Sequence, residues 1–318
     1  MYISDQKTTN MLAILVLVAG PWLGVSKQAW GWTLDILLLL ALLWVGRSDR
    51  EHGLRFGTIF LFSGYGLAVL LNGFPSYTSF SFVPWAGLVT IWGMRAPITH
   101  RAVVFWSLVA AGVTGIIPTL GMLLQGVAQD SVQVLVQSLM DQYTQAGMLE
   151  NLKSQGVTER ELLTLFEQIA NTMITLTPGL VALTSLAKWG AVYYFFVRWF
   201  PFPERAYQPF TEWRLPWYAV WGMNLAIASY LVGDLLQWLT VKHIGLNLML
   251  VYGVVALILG SAIFVSFLKK PMLSVFVKFI LLFASFLYIQ VTAPVLIIMG
   301  LLDLVFDFRR RSTPKKKE

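Results

Sequence analysis

The chain has 318 residues, 57% apolar and only 12% charged, against about 25% charged in an average soluble domain. A soluble core cannot hide so many apolar segments but a bilayer can, and the lack of any cysteine excludes disulfides, thiolate metal sites and a cysteine nucleophile. The formal net charge of +7 does not describe a nucleic-acid surface, because the bases gather in short loops and at the C-terminus instead of one stripe.

A crossing helix needs about 20 apolar residues. The first two apolar runs, 11–25 and 30–46, are short, and the first lacks a small-x-small cleavage site, so it is read as a retained span. Arg47, Arg50 and Arg55 mark the next loop as cytoplasmic. Run 54–71 then goes out, an uncharged turn containing Pro75 follows, and 80–94 returns to Arg95, His100 and Arg101. Run 102–124 goes out again and delivers 126–171, the only long polar stretch, to the external face. That stretch holds six acids and two bases.

Within it, Val132, Leu135, Val136, Leu139 and Tyr143 recur at helical spacing and predict an amphipathic helix. Gly147 and Gly156 punctuate it. Thr158-Glu-Arg-Glu161 fits a capping box. The helix that follows carries Leu162, Leu165, Phe166 and Ile169 on one face and runs to Pro178-Gly179, where a kink is expected.

Run 180–199 returns to a Pro- and aromatic-rich loop at 198–214; 217–239 goes out, and 244–268 comes back to Lys269-Lys270. The last run, 272–306, is too long for one ordinary helix and is bounded by basic clusters, which predicts a hairpin turning near 292–294. The expected fold is an all-α, polytopic transmembrane bundle of about ten spans with both termini cytoplasmic. The range is eight to ten, because the first pair and 80–94 are short enough to be re-entrant. Four parts follow: a membrane block (1–125), an external acidic helical segment (126–171), a second membrane block (172–308) and a basic tail (309–318) suited to anionic lipid. Seventeen of the 23 bases then lie inside; Lys27, Lys153, Arg160 and Lys242 lie outside, and Lys188 and Lys278 fall within spans.

An ionisable group inside a span is expensive unless paired or wet. Lys188 lies about 15 Å from Arg198 along its helix, and Asp35 about 18 Å from Arg47. The matching depths allow an Asp35–Lys188 pair, read first as structural and second as a ligand or proton site. Lys278 and Asp303, about 12 and 9 Å deep, form the expected staple of the terminal hairpin. Asp234, about 26 Å from the cytoplasmic end of its span, belongs near the external surface beside Lys242. Asn224 offers further polar lining, so the candidate intramembrane polar site is Lys188, Asp35, Asn224 and Asp234. Gln237, Asn247 and Gln290 are other amides of the kind that usually tie helices together. Small-residue pairs at Gly64/Ala68, Ala111/Gly115, Ser229/Gly233 and Ala256/Gly260 predict close helix packing.

Catalytic chemistry finds no support. The three histidines are far apart, with no His-Glu-x-x-His, no Gly-x-Ser-x-Gly elbow and no Walker loop. No catalytic, metal-binding or cofactor-binding residue is therefore expected, and no nucleic-acid partner.

The loop Phe210-Thr-Glu-Trp-Arg-Leu-Pro-Trp-Tyr218 and the ending Gly300-Leu-Leu-Asp-Leu-Val-Phe-Asp-Phe-Arg-Arg-Arg311 resemble the YybS-like family of bacterial inner-membrane proteins, over essentially the whole chain. That family is in turn distantly similar to the substrate-capture subunits of energy-coupling-factor vitamin transporters. The resemblance implies small-molecule capture and uptake with an ATPase-module partner. The first span lacks the Ala-x-x-x-Ala of those subunits, which bears on their docking surface, and no ligand residues of that family carry over. The functional expectation is a transporter-like binding subunit whose pocket opens outward beneath the acidic segment, with Lys188 and Asp35 as inner polar groups. The alternative is a non-catalytic scaffold that docks partners through its external helices or basic tail.

Overall fold

The computed structural model describes residues 2–26, 31–49, 51–73, 80–124, 127–156, 158–200, 208–269, 271 and 273–306, and among these the only regular structure is helical. Expectations placed on Lys27, Arg50, the turn around Pro75, Gly126, Lys270 and the tail 309–318 lie outside the described residues.

Helices α1 (Tyr2–Ser26), α2 (Gly31–Ser48) and α3 (Gly53–Asn72) pack together around Leu17, Leu39, Leu42 and Leu61, all fully buried. A Cβ on Gly64 would overlap carbonyl oxygens of α1, so glycine is what lets α3 approach that closely. Trp44 Nε1 donates to Asn10 Oδ1 at 2.9 Å, which brings the start of α1 to the end of α2. There Arg95 donates to the Gly46 and Asp49 carbonyls at 2.5 and 2.7 Å, tying α4 to the C-terminal end of α2. We call this the basic end of the bundle.

The run 80–94 is not a full helical span. Helix α4 (Trp85–Arg95) starts only after Pro84 and has 11 residues, about 16 Å against a core of about 30 Å. Residues 80–82 are non-helical and sit inside protein, as such backbone must at membrane depth. The Tyr65 hydroxyl donates to the Ser81 carbonyl, and Phe82 stacks on Tyr65 at 5.4 Å.

Helix α5 (His100–Leu124) packs against α8 (Glu159–Trp199), with Gly112 against Leu186 and Gly115 against Ser185. Between them lie α6 (Val127–Gln145) and α7 (Met148–Ser154). Helix α8 opens with the capping box: Thr158 Oγ1 accepts from Glu161 N at 3.3 Å and Glu161 Oε2 accepts from Thr158 N at 2.8 Å. Its 41 residues extend about 62 Å, twice the bilayer core, so its first half projects from the membrane. The apolar faces of α6 and α8 meet there, with Tyr143 edge-on to Phe166 at 4.9 Å and Leu162 and Phe166 buried. Leu165 departs from the expected face and is exposed. The acidic segment is thus a helical hairpin carried on a stalk.

Helices α9 (Val220–Leu235) and α10 (Leu239–Leu268) form a tight pair joined through Gln237, whose φ of 57° is left-handed. Helices α11 (Val275–Leu287) and α12 (Ile289–Phe306) follow. The terminal run breaks at Tyr288 and not at 292–294, because the Tyr288 carbonyl accepts from Val291 and Thr292 and so begins the next helix. Pro294 is carried inside α12. Helix α12 packs on α10, where the Gly260 and Gly300 backbones nearly touch, and α11 buries none of its residues.

Six helices among the described residues are long and apolar enough to cross a membrane: α2, α3, α5, α8, α10 and α12. Ten full-length spans are therefore more than the structure shows, since α4 and the 13-residue α11 are each too short to cross alone.

Candidate functional site

The inner face of α8 presents Ser185, Lys188, Trp189 and Val192 at the three-to-four spacing of one helical stripe. Lys188 Nζ lies 2.5 Å from Asp35 Oδ2, with the two side chains 12% and 3% exposed. The Trp32 ring centre is 5.1 Å from the same ammonium, a cation–π contact that suits a desolvated lysine. Ser81, on the non-helical stretch, is a further polar neighbour of Asp35. Each charge is matched, which is the condition for burying either. At the next residue, Trp189 Nε1 donates to Thr90 Oγ1 at 2.9 Å and Thr90 donates towards Ser107 Oγ at 3.0 Å. The result is a satisfied polar seam that fastens α2, α4 and α5 to α8.

The remaining predicted residues go elsewhere. Asn224 is exposed on α9. Asp234 is exposed beside the α9–α10 turn, where Lys242 Nζ meets its Oδ1 at 2.7 Å. Of the four residues expected at one intramembrane site, the structure brings together only Asp35 and Lys188. Lys278 and Asp303 do not pair with each other. Lys278 is half-buried on the loosely packed α11, whereas α12 turns its buried Asp303 into a compartment at the basic end.

Asn247 of α10 repairs the expected weak point of α8. In an unbroken helix the Gly179 amide would bond to the Thr175 carbonyl. Here Gly179 N donates to Asn247 Oδ1 at 2.6 Å, and Asn247 Nδ2 donates to the Thr175 carbonyl at 2.8 Å. The amide side chain is inserted into the ladder beside Pro178, a recognised cause of a helix bend. The stalk and the membrane half of α8 meet at this joint.

Along α8, a cavity of about 730 Å³ opens between α5, α8, α10 and the segment 208–215, with Trp32 of α2 also in its wall. Its walls are mostly apolar, including Val104, Leu108, Ala187, Gly190, Val255 and Leu259. It follows α8 from Leu183 to Val197, about 21 Å at 1.5 Å per residue. A second, more polar compartment of about 550 Å³ adjoins it at the basic end, with His100, Gln208 and Arg214 lining both and Arg101 and Asp303 lining only the second. The Tyr193 hydroxyl lies 3.4 Å from His100 Nε2 at the junction. Lys188, Asp35, Asn224 and Asp234 line neither space. Nor does any residue of α6 or α7, so the cavity does not lie under the acidic segment: the long stalk of α8 holds that segment away.

The sequence reading missed Gly190, His100, Arg101 and Arg214. Its only signal for the first was the small stripe Ala187, Gly190 and Ala191 on one side of α8, and the bases had been assigned to topology alone.

A family profile described as "Predicted membrane protein (DUF2232)" matches residues 51–304, four-fifths of the chain. The chain belongs to that family. No curated protein and no solved structure matches it. The DUF2232 region holds Lys188, Asn247 and the cavity residues of α5, α8, α10 and 208–215, while α1 and α2, including Asp35 and the cavity residue Trp32, precede it. The DUF2232 match gives a membrane protein with several apolar helices, a coarser statement than the resemblance drawn from the sequence.

Proposed function

We propose that the protein is a transporter-like binding subunit of the bacterial inner membrane that holds a small molecule between α5, α8 and α10. The observation that carries this reading is the cavity itself. Its volume of about 730 Å³ falls within the range of about 300–1,000 Å³ typical of ligand pockets, and its apolar walls end in a few convergent polar groups. The basic end is cytoplasmic on this reading, by the positive-inside rule. No catalytic residue, metal or cofactor takes part. The sequence carries no Walker loop, so uptake would draw its energy from a separate ATPase module, as in the capture subunits that the YybS-like resemblance suggests.

Gly190 provides the test, because a Cβ built there meets nothing within 4 Å. Gly190→Phe therefore starts its side chain in open space on the cavity wall, and removing a mid-helix glycine favours the helix. Native mass spectrometry of the detergent-solubilised wild type should show a bound mass that Gly190→Phe lacks at unchanged thermal stability. Equal occupancy in the two proteins would reject the cavity as the binding site.

A scaffold role is favoured by a different observation, the exposed Val134, Leu165 and Met173 on the stalk hairpin. On that reading, deleting 126–171 abolishes capture of a partner protein and leaves the bound mass in place.

A further inference from the structure

Resting on the binding reading above, we infer that the occupant is an anionic lipid drawn from the bilayer leaflet at the basic end. Its acyl chain lies along α8 in the apolar slot, and its headgroup sits in the polar compartment.

The two spaces share five lining residues and are one continuous feature with two chemistries: His100, Gln208, Arg214, Leu215 and Leu259 belong to both. The slot is apolar over about 21 Å along α8, more than the roughly 15 Å that one leaflet contributes to a core of about 30 Å. A compact polar solute would leave most of that wall uncovered. A purely apolar solute would leave the second compartment unused.

Charge decides the headgroup. Among the described residues, Arg101 and Arg214 line the compartment with one carboxylate, Asp303, so its described lining favours an anion. It also opens beside the first residues of α5, where the helix dipole acts in the same direction. Trp217 and Tyr218 at its rim are residues that favour the headgroup level of a bilayer. The neighbouring Asp35–Lys188 pair lines neither space, and the Trp32 ring that covers its ammonium is part of the slot wall.

The test uses full-length protein in nanodiscs of equal phosphatidylglycerol and phosphatidylcholine, released into the mass spectrometer with its tightly held lipid. Wild type should retain phosphatidylglycerol over phosphatidylcholine on the order of tenfold, the size expected of one or two basic contacts. Gly190→Phe should retain neither. Arg101→Gln with Arg214→Gln should still hold lipid but lose the preference. The same preference should shrink for wild type in high salt, a reading independent of any variant's folding. Lipid retained by wild type in the bilayer's own ratio overturns the inference, as does a preference untouched by salt and by the arginine pair. A water-soluble mass that Gly190→Phe removes overturns the lipid assignment and leaves the binding reading standing. No retained mass in any sample overturns both.

Discussion

Helices α1–α5 and the membrane half of α8 enclose Leu17, Leu39, Leu42, Leu61 and Trp189, all fully or almost fully buried, together with an ion pair and a hydrogen-bonded seam. Helices α9–α12 are built differently. They bury a few small or apolar residues along α10, α11 buries none, and Phe276, Phe279 and Phe286 stand exposed. The first group is a frame whose parts are over-determined; the second is held mainly by close backbone approach on α10. The cavity lies on the boundary, with α5 and α8 from the frame and α10 from the looser group. On the proposed binding reading, movement that admits a ligand belongs to α10 and its neighbours, while the seam holds α8.

The frame is broken most severely at its charge pair. Lys188→Ala leaves Asp35 buried and alone and should destabilise by about 3–5 kcal/mol, whereas Asp35→Asn with Lys188→Gln should recover most of that loss. Thermal unfolding in detergent measures both. Equal losses in the single and double variants would remove the pair from the frame.

The looser group is probed by Gly260→Leu, whose Cβ would overlap the Leu296 carbonyl. A loss of about 1–3 kcal/mol is expected, the usual range for overpacking. It should appear as faster proteolysis around α11 and α12 with α1–α5 still protected. Uniform loss of protection would show that the two groups are one cooperative unit.

Asn247→Leu acts on the joint between stalk and frame. It removes the side-chain bonds to Gly179 N and the Thr175 carbonyl, and a straighter α8 can replace them with its own ladder bond. The net cost should be about 1 kcal/mol. Spin labels at the two ends of α8 should move apart as the bend relaxes; an unchanged distance would deny Asn247 its role.

The smallest effect concerns the turn before α3. Asp49 Oδ1 accepts from His52 N at 2.8 Å and Glu51 N at 3.0 Å, and these bonds, the His52 amide first, hold its carboxyl below the ordinary carboxylate range. A depressed folded-state value gives stability that is present at neutral pH and lost as pH falls through that value. Wild type should lose slightly more thermal stability than Asp49→Asn on acidification below about pH 4. The two curves should be parallel above it.

What the sequence revealed divides along the same boundary. Lys188 and Asp35 were legible because a charge in hydrocarbon must find a partner, and helical rise measured from Arg198 and Arg47 puts the two at matching depth. The capping box at Thr158 and the small-residue pairs were legible because each is a local rule. The half-length α4 was partly legible, because run 80–94 is short enough to be re-entrant, but its start after Pro84 was not placed. The Lys278–Asp303 staple failed because depth matching says nothing about which helices are neighbours, and α12 chose α10. The cavity was hidden because apolar lining looks the same in sequence as apolar packing.

The most direct test of the account is a cryo-electron microscopy map of the protein in lipid nanodiscs, read between α5, α8 and α10. The account predicts elongated density alongside Gly190 that ends near Arg101 and Arg214. A closed slot, with Leu108 packed directly on Val255 and no density between them, would contradict it.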